Sequence, residues 1–182
     1  AQAAIPKNMP LFVQNKVDQK IIQAQGFKDV RVLTVTTFQG VKLTKTGGQH
    51  GTDEMYRNAE LKAGLGEAMG MVFEAAGHET VYVAGDTIWR PEVDQAIQTF
   101  KPDVIVLNTG NALMDGYKES IIMGKEDTYH ATQKAPNAKI VAVHMDAINH
   151  MSVTRAQLAE YVEDKGIQNK VLIPIDGETL SF

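Results

Sequence analysis

The chain has 182 residues, a length that suits one domain with a real core. Hydrophobic residues at 43% and charged residues at 22% mark an ordinary globular chain, and a net charge of −4 with interspersed signs leaves no polybasic face, so neither nucleic acid nor membrane is an expected partner. There is no cysteine, which excludes disulfides and thiolate metal sites, and no signal peptide or long apolar run, so a cytoplasmic setting is expected.

The chain opens on Ala1-Gln2-Ala3-Ala4 without an initiator Met, which fits a processed, proteolysed or truncated molecule. Short β-branched runs then alternate with helical segments, an α/β pattern without repeats. Residues 11–13 read as a strand, and residues 16–25 as a helix that Gly26 ends. Residues 30–35 and 41–46 read as strands, with Gln39-Gly40 as a hairpin turn between them. Residues 47–66 are glycine-rich and polar and read as one long functional loop. Strands follow at 69–75 and 80–84, around a Gly77-His78 turn. Pro91 opens a helix to Phe100, with Val93, Ile97 and Phe100 on one face. Residues 104–107 and 140–143 are apolar strands, and the helix over 125–135 between them stops at Pro136. Thr154 with Gln157 forms a capping box for the last helix, Gly166 ends it, and residues 171–173 make a final strand.

Four of these strands run directly into polar residues: Gly47-Gly48-Gln49-His50, Gly85-Asp86-Thr87, Asn108-Thr109-Gly110 and His144-Met145-Asp146. If the strands share one sense, those groups gather on one rim of the sheet, where α/β folds place their ligands. His50, Asp86 and His144, with Asp146 and His150 near, offer imidazole and carboxylate donors that suit Zn(II), Mn(II) or Fe(II). Each also has a plainer reading. A Gly-Asp-Thr after a strand serves equally as a turn, and a lone histidine ending a buried strand is more often a satisfied core residue. The metal reading comes from the three occurring together.

The ordered motifs Gly47-Gly48-Gln49-His50, Ala84-Gly85-Asp86-Thr87 and Val143-His144 resemble the later metal motifs of the metallo-β-lactamase superfamily. The similarity is closer to the branch that resembles L-ascorbate-6-phosphate lactonase, with longer echoes over 43–52, 83–93, 103–110 and 141–150. The resemblance implies an αββα sandwich, represented here by its C-terminal half with the first strands missing, as one partial domain over 1–182. It implies two divalent ions, Zn or Mn, with His50 on the first, Asp86 bridging both and His144 on the second. The superfamily's leading His-x-His-x-Asp-His motif is absent from the chain and is expected in a preceding N-terminal segment, which becomes a partner of this one.

The expected activity of the complete protein is hydrolysis of an ester, lactone or phosphoester in a small-molecule substrate by a metal-bound hydroxide, with Asp86 holding the ions. The 182-residue chain alone is expected to bind metal weakly and to lack turnover, because a dinuclear site takes about five or six protein ligands. An apolar edge left by the missing strands would favour homo-oligomers. Tyr56, Asn108 and His150 are candidate substrate contacts, with Arg57 beside Tyr56 and a lid over 108–124. Trp89 reads as core, His78 as an exposed turn residue, His130 as structural and Asp176 as part of a surface turn. The alternative is an inactive fragment or binding domain. A two-histidine-one-carboxylate Fe(II) oxygenase is a third, weaker reading, because the surrounding motifs do not resemble those enzymes.

Overall fold

The computed structural model describes residues 4–146 and 148–182, so Ala1, Gln2, Ala3 and Ala147 fall outside it. Strand β1 (Leu11–Val13) pairs in parallel with β2 (Val30–Val32) across helix α1 (Lys16–Ala24). Asn15 starts α1 by accepting the Asp18 N–H, and Gly26 follows its end at a φ of 91°.

Residues 30–35 do not form the single strand that their β-branched run suggests. The Leu33 side chain turns into the interior while its N–H donates to the Val13 carbonyl, so β2 closes the small sheet. β3 (Val35–Phe38) then begins another sheet, in a hairpin with β4 (Val41–Thr46). Gln39 and Gly40 both have positive φ, the mirror-image turn that matches strand twist.

Residues 47–66 are also more ordered than their composition implies. They contain a 3-10 turn at Met55–Arg57 and helix α2 (Ala59–Leu65). The Asn58 side chain caps α2 by accepting from the N–H groups of Glu60 and Leu61. Met55 is wholly buried with Ala112, Ile121 and Ile122 in a second, smaller core. No residue of α2 is fully buried, so it shows no apolar stripe from which a helix could be read.

The remaining elements are β5 (Gly70–Glu74), β6 (Val81–Val83), α3 (Pro91–Phe100), β7 (Val104–Asn108), α4 (Lys125–Lys134), β8 (Lys139–Val143), α5 (Arg155–Asp164) and β9 (Val171–Leu172). The large sheet has the order β3-β4-β5-β6-β7-β8-β9. Pairing is antiparallel from β3 to β6 and parallel from β6 to β9. β4 and β6 both oppose β5, so β4, β6, β7 and β8 share one sense and bring their C-terminal ends to one rim.

One face of this sheet, including Val72, Tyr82, Ile105, Leu107, Ile140 and Ala142, packs with Val93, Ala96 and Ile97 of α3, Ala131 of α4, and Leu158 and Val162 of α5. Val81, Val83, Val106 and Val143 occupy the other face and stay half-buried. No helix among the described residues is long and apolar enough to cross a membrane.

Helix α4 starts on a half-buried acid. The Asp127 carboxylate accepts the Gly124 N–H at 2.9 Å, and burial raises its pKa above the ordinary carboxylate value. Between that raised value and about 3.9 in the unfolded chain, the folded state binds more protons, so Asp127 adds stability as pH falls. Asp127→Asn lacks this term. Urea unfolding is expected to show wild type gaining stability relative to the variant on acidification from pH 7; a relative loss would reverse the assignment.

Candidate active site

The shared rim gathers the polar residues that follow β4, β6, β7 and β8. Gly85 turns the chain out of β6 at a φ of 74°, and a Cβ there would lie 2.7 Å from the Met69 carbonyl oxygen, so only glycine delivers Asp86 to this position without strain. Asp86 Oδ1 accepts a 2.6 Å hydrogen bond from Asn108 Nδ2 and lies 3.6 Å from His144 Nε2. Asp86 and His144 are both half-exposed.

His144 itself has a φ of 64°. This left-handed conformation is uncommon for histidine and leaves the imidazole at the rim while the next residue, Met145, is wholly buried against Thr109 Oγ1. Asn111 and Asp146, in the segments that follow β7 and β8, also have positive φ. Strain of this kind persists where surrounding contacts fix the backbone. Here the Asn111 N–H donates to the Met123 carbonyl, and the Gly110 carbonyl accepts from both Ser152 and Val153.

His50 is positioned by a second set of contacts. Thr87, fully buried, accepts the Gln49 N–H at its hydroxyl and donates that hydroxyl to the Ile88 carbonyl, while the Ile88 N–H returns to the Gln49 carbonyl. The loops carrying His50 and Asp86 are therefore held together by Thr87, which the sequence reading passed over. The available signal was a small hydroxyl residue directly after the acid in Gly85-Asp86-Thr87. Thr87→Val leaves a buried N–H without its acceptor, a loss of about 1–3 kcal/mol. Denaturant titration should register that cost together with weaker metal binding; unchanged values for both would show that the two loops are held by other contacts.

Burial lowers the pKa of His50 below the ordinary histidine value; nearby Asp86 and a hydrogen bond with the Leu65 carbonyl oppose this, and His144 and His150 reinforce it. The imidazole is thus favoured in its neutral form, which keeps one ring nitrogen as an acceptor or ligand. The Tyr56 hydroxyl donates to the Gly66 carbonyl at 2.7 Å. It ties the 3-10 turn to the residue that ends α2, so this candidate substrate contact is committed to the backbone.

Asn108 meets Asp86, whereas His150 is exposed and lines a cleft with His50. Asp146 faces away into a cluster of its own: it accepts the Arg155 N–H and pairs with the Arg155 guanidinium, which also holds Asp176 and the Pro174 carbonyl. Trp89 packs on the main core and its indole meets His130 edge to face. The 108–124 connection is pinned by bridges from Ala112 to Met151 and from Leu113 to Ser120. Among the described residues, no group of three His, Asp or Glu side chains comes together closely enough to hold an ion on its own.

The UPF0173 protein YddR of Bacillus subtilis strain 168 is 42% identical over 184 residues, covering all of this chain and 70% of the relative. The chain belongs to the UPF0173 family. A more distant UPF0173 protein, from Rubrobacter xylanophilus, is named a metal-dependent hydrolase and is 23% identical over 87% of this chain and 63% of its own length. No family model matches the sequence. Two solved structures each cover the whole chain and 70% of their own. One is a possible metal-dependent hydrolase from Veillonella parvula DSM 2008, at 45% identity and a TM-score of 0.98. The other is the isothiocyanate hydrolase from Delia radicum gut bacteria, at 47% identity and a TM-score of 0.96. The metallo-β-lactamase fold protein YhfI of Bacillus subtilis, at 13% identity and a TM-score of 0.63 over 94% of this chain and 63% of its own, shares the fold alone. This UPF0173 chain therefore has the expected α/β architecture and is a metal-dependent hydrolase of the metallo-β-lactamase fold.

Proposed function

We propose that this UPF0173 hydrolase holds divalent ions, Zn or Mn, with His50, Asp86 and His144, and adds water to an electrophilic carbon, an isothiocyanate being the first substrate to test. The observation that carries the metal reading is the Asp86 carboxylate 3.6 Å from the imidazole of His144, at the rim where His50 is favoured neutral. Nitrogen and carboxylate donors of this kind fit Zn(II) or Mn(II). They form a partial set, which further ligands in a longer chain would complete. In this reading Asp86 would serve both ions, with His50 holding one and His144 the other. Bound ions would supply a water of lowered pKa and a Lewis acid for the developing negative charge.

The chain's own groups orient that chemistry. Asn108 fixes one oxygen of Asp86, Thr87 holds the loop that carries His50, and the left-handed backbone at His144 keeps its imidazole at the rim. The choice of isothiocyanate rests on the relative that carries that name at 47% identity over the whole chain. In that reaction water adds to the central carbon of R–N=C=S, and the thiocarbamic acid formed breaks down to the amine and carbonyl sulfide. An ester, lactone or phosphoester centre could be attacked with the same groups, but it rests on motif resemblance alone.

The test is a substrate panel on the full-length protein: an alkyl isothiocyanate, a carboxylic ester, a lactone and a phosphodiester. Each is assayed before chelation, after chelation and after return of Zn(II) or Mn(II), with metal content measured alongside. Amine release that stops with chelation and returns with metal, at two ions per chain, is the expected result. Chelator-insensitive turnover, or consumption of the ester or phosphodiester without the isothiocyanate, would overturn the proposal.

A further inference from the structure

A cleft of about 960 Å³ opens beside His50. It is built from three stretches far apart in sequence: α2, the start of the 108–124 connection with Ile121, and residues 149–152. Its apolar walls are Leu61, Leu65, Leu113, Met114, Ile121 and Met151. Behind them lies the second core, in which Met55 and Ile122 are wholly buried, so the walls are backed by packed side chains. The titratable lining groups are His50, Glu60, Asp115 and His150; among the described residues, no lysine or arginine lines it. Phosphate and carboxylate groups are held by guanidinium, ammonium or clustered N–H donors, and here the two fixed charges are themselves negative.

We infer that this cleft receives the organic tail of the substrate whose reacting centre sits at the Asp86–His144 rim, and that it selects an uncharged, apolar tail over an anionic one. The inference rests on the site assignment proposed above, because His50 is the residue common to both. Leu61 and Leu65 stand four residues apart on α2 and present neighbouring side chains to the tail, and the flexible thioethers of Met114 and Met151 adapt to its shape. Glu60 and Asp115 repel a carboxylate or phosphate carried on the far end of the tail. A phosphorylated small molecule, such as a lactone phosphate, is therefore a poor occupant.

Two measurements on the full-length, Zn(II)-loaded protein test this. First, methyl-labelled methionine spectra are followed while 1-butanol or 1-hexanol is titrated. The Met114 and Met151 methyls are expected to shift, and hexanol should bind about fifteenfold tighter than butanol, since each of its two extra methylenes is worth about fourfold when buried. Second, turnover of hexyl isothiocyanate is compared with that of the same chain ended by a carboxylate. The anionic substrate should be slower in kcat/KM by at least about tenfold, and Leu113→Lys should narrow that ratio by supplying the missing cation. If the methionine methyls respond but no isothiocyanate is consumed, the proposed bond is wrong while the tail site stands, and the charge comparison is repeated with hexanol against 6-hydroxyhexanoate. Unmoved methyls, or equal treatment of neutral and anionic tails, would overturn the inference.

Discussion

Asp86→Ala is expected to cause the largest loss of any single substitution at this rim, at least about a hundredfold in turnover, with metal content falling further than in His50→Ala or His144→Ala. Asp86 is the group on which the site converges. Its Oδ1 is 3.6 Å from His144 Nε2 and 2.6 Å from Asn108 Nδ2, and its charge reaches the half-buried His50. Removing either imidazole leaves the carboxylate and the other histidine, whereas removing the carboxylate separates the two histidines. Loss of an outer partner that orients a ligand costs about ten- to a hundredfold in affinity or activity, so loss of the shared ligand should exceed it. Asn108→Ala, which frees the carboxylate without removing it, should fall within that smaller range. The Asp86 side chain is 43% exposed, so the fold is expected to survive and thermal unfolding should change little. Metal content by elemental analysis and single-substrate kinetics on the four variants decide the order. Full metal content in Asp86→Ala, or a larger loss in His50→Ala, would remove Asp86 from the bridging role.

The parts of this site that were legible in the sequence are those that one strand determines by itself. An apolar run ending in Gly85-Asp86 or Val143-His144 announces both a buried strand and what emerges from it, and strands of common sense then meet at one rim. Contacts made between segments were not legible. Thr87 acts through Gln49, 38 residues away in the chain. The tie between Tyr56 and Gly66 exists only because 47–66 folds over the second core, and α2 hides there because it buries no residue completely. The division of 30–35 into two strands depends on Leu33 finding space in the interior, which periodicity does not encode. The cleft is assembled from three separate stretches, so neither its apolar walls nor the absence of cations from them shows in any local window.

Gly110→Ala is the second substitution expected to act strongly, although Gly110 bears no side chain and was noted only as part of a strand end. A methyl at this position would fall inside the van der Waals shell of two atoms, the backbone carbonyl oxygen of His144 and the sulfur of Met151. The thioether is the end of a flexible side chain and can swing away. The carbonyl cannot move by itself, because His144 is held in a left-handed conformation and the peptide that displaces its oxygen also turns its ring. Gly110 is itself anchored, its carbonyl accepting from the N–H groups of Ser152 and Val153, so the strain passes to His144. Overpacking of this kind costs about 1–3 kcal/mol. The expected result is a lower unfolding midpoint together with at least a tenfold loss of Zn(II) affinity. Gly64→Ala serves as the stability control: a methyl there meets no atom within 4 Å, and alanine favours helix α2, so the midpoint should hold or rise. Met151→Ala in the Gly110→Ala background separates the two clashes. Removing the sulfur should restore part of the stability and leave metal affinity low, because the contact with the His144 carbonyl remains. Wild-type Zn(II) affinity in Gly110→Ala, or its complete rescue by Met151→Ala, would show that Gly110 makes room for Met151 and has no part in aiming His144.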